Sequence, residues 1–207
     1  MDMRLCRVFG LVSAIVLLGA TTPLLAQTVI DFDDVSDGTV VETQYQGQGV
    51  TLSCLGNCSG SSVVAEATSF VTSAPNVVVP QVGTINGCFS ESDGIVRATF
   101  APMASQVTID TIADNGFDPA FLNAYDSTDT LIDSDTNSGT QGSGNADTLS
   151  VVGAIAYVEF SGQGGDTACF DDLSFVAQQV PTMPGVALML LTLALLGVGC
   201  WMFRPAA

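Results

Sequence analysis

Gln106-Val-Thr-Ile-Asp-Thr-Ile112 alternates polar and apolar side chains over its first five residues and is rich in β-branched residues. This alternation is typical of a half-buried β-strand, because successive side chains of a strand point to opposite faces. Five further segments favour strands for the same reason: 28–33, 94–100, 121–125, 154–160 and 169–176. Turn-forming pairs such as Asp93-Gly94 separate them. The sequence therefore predicts a domain of many short strands.

The fold class follows from these strands and from the length of the segment that carries them. No window between residues 27 and 177 has a convincing helical period, and about 150 residues is the size of one ordinary domain. We therefore predict an all-β ectodomain over 27–177, folded as an antiparallel, jelly-roll-like β-sandwich. The Ser-, Gly- and Asn-rich stretch 133–147 is expected to form a long exposed loop.

Residues 1–26 have the parts of a secretory signal peptide, which is predicted to be helical and to be removed on export. Arg4 and Arg7 form a positively charged start, and the stretch 8–18 is mostly apolar. A candidate cleavage site follows Ala26. The chain is therefore predicted to leave the cytoplasm.

The C-terminal end predicts one transmembrane helix over 186–203. This segment carries no charge, and as a helix it measures about 27 Å, close to the thickness of a hydrocarbon core. Arg204 follows at once and favours a cytoplasmic tail, 204–207. A linker and sorting segment, 178–185, then joins the helix to an ectodomain on the opposite side of the membrane.

The charge balance of the chain is extreme. It has 21 acids, four bases, no histidine and no lysine, and its net charge is −17. Between the two terminal segments Arg97 is the single base. Such a surface repels nucleic acid, whose binding depends on Lys and Arg, and attracts Ca²⁺, which prefers carboxylate oxygens. The acidity can equally serve only to keep an exported protein soluble.

Two pairs of aspartates are the candidate calcium ligands. Asp33 and Asp34 come at the end of the first strand, and Asp171 and Asp172 lie in the last. The first and last strands of a sandwich often run side by side, so these four carboxylates can converge on one structural Ca²⁺, which would screen their repulsion. A second stretch, 133–137, begins like an EF-hand loop but lacks the glycine and glutamate of that motif, and we interpret it as a solvated turn.

Four cysteines lie outside the terminal segments. An even number in an exported domain indicates disulfides, and four cysteines allow three pairings. Cys54 and Cys58 are close enough in sequence to close a small loop, and Cys88 with Cys169 would then join distant strands. The alternative is a zinc site, which is disfavoured because the chain has no histidine and no paired C-x₂-C motifs.

The residue types argue against an enzyme. Histidine is the usual side chain that titrates near neutral pH, and lysine is needed for Schiff-base or Ser–Lys chemistry; the chain has neither. No phosphate-binding or dinucleotide-binding motif occurs. A pair of carboxylates for glycoside hydrolysis stays open, but so many acids make chance pairs inevitable. We expect a non-catalytic domain.

The C-terminal end has a motif with two prolines, then an apolar helix, then a basic residue. The motif is Val180, Pro181, Thr182, Met183 and Pro184, and Arg204 supplies the base. This order resembles the C-terminal sorting signals of the exosortase systems of Gram-negative bacteria, first the IPTL-CTERM variant and second PEP-CTERM. The resemblance implies an exosortase-like sorting protease, an inner-membrane intermediate, and a final place at the cell surface or in the extracellular matrix.

The ectodomain resembles the sandwich domains that many PEP-CTERM-type proteins carry. The segments that carry the resemblance are 30–34, 49–52, 122–126, 155–160 and 170–175. The resemblance implies a structural or adhesive surface protein, embedded in exopolysaccharide. The alternative function is a carbohydrate-binding module, because jelly rolls often bind sugars on exposed aromatic side chains. The candidate aromatics are Tyr45, Phe117, Phe121 and Tyr125.

Overall fold

The computed structural model describes residues 26–58, 62–80, 87–114, 118–138 and 143–178. Within these ranges the chain forms nine strands and one short 3-10 turn, Gln46–Gln48. The strands are β1 (Gln27–Ile30), β2 (Val50–Leu55), β3 (Val63–Ala67), β4 (Asn76–Pro80), β5 (Ile95–Ala113), β6 (Ala120–Tyr125), β7 (Leu131–Thr136), β8 (Ala146–Gly162) and β9 (Ala168–Ala177). The predicted all-β, antiparallel fold is confirmed.

Two long strands, β5 and β8, run through both layers of the molecule. The first part of β5 pairs with β2 and with the last part of β8, which also pairs with β6, and β6 pairs with β7. Beyond a register shift between Thr99 and Ala104, β5 pairs with β9 and with the first part of β8, and β1 completes that layer. Every one of these pairings is antiparallel. Below, the β2-β5-β8-β6-β7 side is the first layer and the β1-β9-β5-β8 side is the second.

Aromatic rings join the two layers into a sandwich. Phe100 in the first layer lies 5.0 Å from Phe175 in the second, and Phe160 lies 5.0 Å from Phe170 across the same gap, measured between ring centroids. All four side chains are buried in one continuous hydrophobic cluster. Burying a large apolar side chain stabilises a fold by about 2 kcal/mol, so these contacts fix how the layers face each other.

The hairpin of β3 and β4 forms a separate two-stranded sheet. Its valines are buried, Val77, Val78 and Val79 completely, and Asn76 at the start of β4 is also fully buried. The Asn76 side chain donates from Nδ2 to the carbonyl oxygens of Phe32 and Val35, at 2.9 Å each. The hairpin is therefore held to the segment that follows β1.

Two aspartates of β7 close the open edge of the second layer. Their cross-strand partners on β6 are the buried Leu122 and Ala124, so Asp135 and Asp133 share the inward face of the first layer. The backbone N–H of Ser150 donates to Asp135 Oδ2 and that of Val152 to Asp133 Oδ2, both at 2.8 Å. These N–H groups lie on the side of β8 away from β5, where this half of β8 has no strand partner among the described residues. Inward-pointing charges are a known means of protecting a sheet edge.

Three sequence-based predictions about secondary structure need correction. The segments 94–100 and 106–112 were predicted as separate strands, but they belong to one continuous strand, β5, whose register with β8 shifts between them. The stretch 133–147 is not one long loop, because β7 extends to Thr136 and β8 begins at Ala146. The EF-hand-like start 133–137 therefore lies mostly in a strand.

The terminal predictions concern residues that the structure does not describe. The signal peptide (1–26, except for Ala26), the sorting motif Val180–Pro184 and the transmembrane helix 186–203 all lie outside the described residues. Within the described ranges no helix is long and apolar enough to cross a membrane.

Candidate functional site

The outward face of the first layer carries two rows of polar and aromatic side chains. The strand registers place Thr51, Thr99, Tyr157, Tyr125 and Leu131 in one row and Ser53, Arg97, Glu159, Asn123 and Ser134 in the next. The residues between them along each strand, such as Leu52, Ala98 and Val158, are buried. This sheet face, which we call the outer face, thus carries hydroxyl, amide and charged groups around two tyrosines.

Arg97, Tyr157 and Tyr125 stack in a line across three strands. The Tyr157 and Tyr125 rings are nearly parallel, at 14°, with centroids 4.8 Å apart. The Arg97 guanidinium carbon lies 4.1 Å from the Tyr157 centroid. Because Arg97 approaches from β5 and Tyr125 from β6, they cover opposite faces of Tyr157, which lies on β8 between them. Both faces of the Tyr157 ring are therefore occupied, and Tyr125 is the last ring of the stack.

An ion pair fixes the position of Arg97. Its Nη2 donates to Glu159 Oε1 at 2.6 Å and its Nε to the same oxygen at 3.1 Å. The two side chains are 32% and 13% exposed, so the pair is partly shielded from water. A partly buried pair between neighbouring strands holds the guanidinium over the ring more firmly than an exposed pair would.

Both tyrosine hydroxyls lie beside carboxylates. The Tyr157 hydroxyl donates to Asp129 Oδ1 at 3.1 Å, and burial raises the pKa of Tyr157, helped by this bond. Burial also raises the pKa of Tyr125, and the charge of Glu159 adds to the effect. Both phenols therefore stay protonated at neutral pH and can donate hydrogen bonds.

The four candidate sugar-stacking aromatics do not share one surface. Tyr45 is buried, with its hydroxyl donating to Asp34 Oδ1 at 2.7 Å, and Phe121 is also buried. Phe117 lies outside the described residues. Tyr125 is the predicted aromatic that lies on the outer face, half-buried. Its partner Tyr157 was missed, although the alternation of 154–160 places it opposite the apolar side of its strand.

The candidate calcium ligands of the last strand are occupied by hydrogen-bond donors of the protein. Asp171 is fully buried, and its Oδ2 accepts from the backbone N–H groups of Thr72 and Ser73, at 2.9 Å each. The Thr72 hydroxyl donates to Asp172 Oδ2 at 2.8 Å. Burial raises the pKa of Asp171 to about 6, against the lowering effect of the backbone hydrogen bonds. These carboxylates hold the segment between β3 and β4.

Of the other two candidate ligands, Asp33 contacts Asn76, whose side-chain oxygen is buried without a donor among the described residues, and Asp34 accepts the Tyr45 hydroxyl. As predicted, the first and last strands are neighbours, with Ile30 opposite Leu173. Asp33 Oδ1 accepts the backbone N–H of Asn76 at 2.8 Å. The Asn76 side-chain oxygen is buried and has no hydrogen-bond partner among the described residues. Such an oxygen is a suitable ligand for a hard cation. However, the described ranges contain no group of three or more carboxylates or cysteines placed to hold a metal ion, so calcium binding stays a prediction.

Calcium binding is expected to appear as a gain in thermal stability. An ion that binds only the folded state raises the melting temperature by linkage, by several degrees when Ca²⁺ is in large excess over its dissociation constant. The measurement is the melting temperature in Ca²⁺ and in chelator, for the unaltered protein and for Asp33→Asn. We expect the difference to shrink in the variant. Superimposable curves for the unaltered protein in Ca²⁺ and in chelator would contradict the prediction.

The predicted disulfide pairing is present. Cys54 is bonded to Cys58, and Cys88 to Cys169. Gly94 packs on the first bridge with a φ of +135°, and a Cβ there would lie 2.7 Å from Cys58 Sγ, so no larger residue fits. The second bridge joins two fully buried residues. Two such bonds indicate a protein of an oxidising compartment, outside the cell or in the periplasm.

No protein-family model matches the chain, and no curated protein matches it. Among solved structures it is similar to the K2 cleaved adhesin domain of Lys-gingipain (17% identity, TM-score 0.40), covering 74% of this chain and 99% of that domain. It is also similar to an arabinose-bound GH51 α-L-arabinofuranosidase (12% identity, TM-score 0.43), covering 76% of this chain and 27% of the enzyme. A third similar structure is the CBM22-1–GH10 part of a Clostridium thermocellum xylanase (12% identity, TM-score 0.31), covering 72% of this chain and 29% of that one.

Proposed function

We propose that the chain is an exported, membrane-anchored surface or extracellular-matrix protein with a non-catalytic, jelly-roll-like sandwich, sorted by an exosortase-like protease. The observation that carries the proposal is the Cys88–Cys169 bridge, which joins two buried residues 81 positions apart. Disulfides form and persist in oxidising compartments, so this bond supports export. The tripartite C-terminal sequence, Val180–Pro184 followed by an apolar segment and Arg204, supports sorting after export.

Sorting is expected to remove the C-terminal segment. Pro181 and Pro184 disfavour helix directly outside the predicted span, and extended backbone is what a protease can bind. We expect protein recovered from the cell surface to end near Val180–Pro184, as read by mass spectrometry of its C-terminal peptide. Protein from the inner membrane of the same cells, which should still carry 186–203, is the control. An intact end at Ala207 on all surface-exposed protein would leave a permanent anchor as the explanation.

A second candidate function is carbohydrate binding in the exopolysaccharide, and the outer face favours it. Tyr125 and Tyr157 stack beside the Arg97–Glu159 pair, which combines a ring with planar hydrogen-bonding groups. A few polar groups around aromatic surface are typical of small-molecule and sugar sites. Saturable binding of a glycan by the purified protein would support this function. If the purified protein binds no glycan on a broad array, carbohydrate binding is ruled out and the structural role is the remaining candidate.

A further inference from the structure

Tyr125 is the ring of the outer face that can still take a planar partner. Arg97 and Tyr125 cover the two faces of Tyr157, and Tyr157 covers one face of Tyr125. The next residue in this row is Leu131 on the edge strand β7, which is 51% exposed. A ligand can therefore reach Tyr125 from the β7 side, and it meets apolar surface there, which suits the C–H face of a pyranose ring.

The neighbouring row supplies the hydrogen bonds that a sugar needs. Asn123 and Glu159 are opposite one another on β6 and β8, directly beside the tyrosine pair. Both bonds that Arg97 donates to Glu159 reach Oε1, and the Tyr125 hydroxyl also interacts with the side chains of Glu159 and Asn123. A carboxylate has two oxygens with about four acceptor positions, so Glu159 retains acceptor capacity for a ligand. An amide and a carboxylate side by side on adjacent strands can bind neighbouring hydroxyl groups with donors and acceptors together.

The charge of the domain selects among glycans. Within the outer face the one cation, Arg97, is neutralised by Glu159. Twenty of the 21 acids lie between the predicted signal peptide and the predicted transmembrane helix, together with this single base, so the domain carries a net charge of −19. A polymer of uronic acids would approach a strongly like-charged surface and find no free cation, whereas an uncharged polymer meets no such electrostatic cost.

We infer that the outer face is a binding site for an uncharged, pyranose-containing polysaccharide, which stacks on Tyr125 and is hydrogen-bonded by Asn123 and Glu159. This inference rests on the carbohydrate-binding function proposed above and names its ligand class. Arg97 and Tyr157 are positioning residues: the ion pair and the stack hold Tyr125 and Glu159 in place. The site needs no metal and no covalent step.

The experiment compares neutral and uronic-acid polysaccharides as ligands of the full-length protein. The protein is purified in a detergent without a sugar headgroup, and binding is measured by titration calorimetry at low and high salt. We expect saturable binding of a neutral polymer, unchanged by salt. Tyr125→Ala should weaken it by about tenfold, because stacking and apolar burial are both lost. Tyr125→Phe should keep most of it, and Val29→Ala, on the exposed outside of the second layer, should leave it unchanged.

Failure of this inference and failure of carbohydrate binding give different results. If the folded protein binds uronic-acid polymers better than neutral ones, or if Tyr125→Ala with an unchanged melting curve binds normally, the assigned site is wrong while carbohydrate binding stands. If no polysaccharide of either kind binds saturably, carbohydrate binding itself is wrong. A loss in Tyr125→Ala together with retention in Tyr125→Phe supports the ring as the contact.

Discussion

Replacing Cys88 and Cys169 together by alanine is expected to lower the free energy of unfolding by about 4 kcal/mol. The bridge spans 81 residues, and closing a loop of that length in the unfolded chain accounts for a loss of this size. Both residues are fully buried beside Phe89 and Phe170, so solvent cannot fill the space that the sulfur atoms leave. The measurement is urea denaturation under non-reducing conditions.

The second bridge is the matched control. Cys54 and Cys58 enclose a loop with a sequence separation of 4, so the same reasoning gives about 2 kcal/mol for Cys54→Ala with Cys58→Ala. We therefore expect the loss of the long bridge to lower the free energy of unfolding about twice as much as the loss of the short one. Equal losses, or a larger loss for the short bridge, would show that loop closure does not explain the stabilisation.

The double variant Asp133→Ala, Asp135→Ala is expected to self-associate. It exposes the N–H groups of Ser150 and Val152, which the two carboxylates now accept at 2.8 Å. An uncovered strand edge pairs readily with another chain, and exposed Val152 adds apolar surface at the same place. We expect a shift to larger species in sedimentation velocity, compared with the unaltered protein at equal concentration, and a loss of about 1–2 kcal/mol in stability.

A matched double variant to asparagine separates edge protection from charge. The changes Asp133→Asn and Asp135→Asn retain an oxygen at each position that accepts the N–H bond from β8, while they remove both charges. We expect this double variant to sediment like the unaltered protein. If it associates as strongly as the alanine variant, net repulsion between copies prevents association, and the hydrogen bonds to β8 do not.

The sequence predicted the fold class because the alternation is local. Val107 and Ile109 are buried and Thr108 and Asp110 lie on the other face, as the pattern 106–112 requires. The continuity of β5 was not predictable in this way, because Ala101-Pro-Met-Ala-Ser105 has no alternation and Pro102 lacks an N–H. A proline is tolerated there because the register with β8 shifts at this point.

The strands β3 and β4 were missed for a different reason. Val63-Val-Ala and Val77-Val-Val are short apolar runs, buried on both sides, and such runs carry no period that distinguishes a strand from a core helix. The stretch from residue 133 was misread because Asp133 and Asp135 looked like loop residues. Their inward position depends on a contact with β8 in the other layer, which only the folded chain brings near.

The candidate site was predicted in part. Tyr125 was recognised as an aromatic residue of a strand, but the stack with Tyr157 and the position of Arg97 depend on strand register. A slip of one residue would place Tyr157 on the buried face. Register is set by the pairing of β5, β8 and β6 together, and no short stretch of sequence contains that information.

The position of β1 and the long disulfide determine how the domain responds to tension. Gln27 and Val176 lie opposite each other at the two ends of the domain, so a pull on both ends unzips β1 from β9 one hydrogen bond at a time, at low force. Once the pull reaches Cys169, the covalent bridge carries the load, and the 81-residue span back to Cys88 cannot be drawn out. Under tension from both ends, therefore, only the segments before Cys88 and after Cys169 can extend, and the span between these two cysteines stays closed.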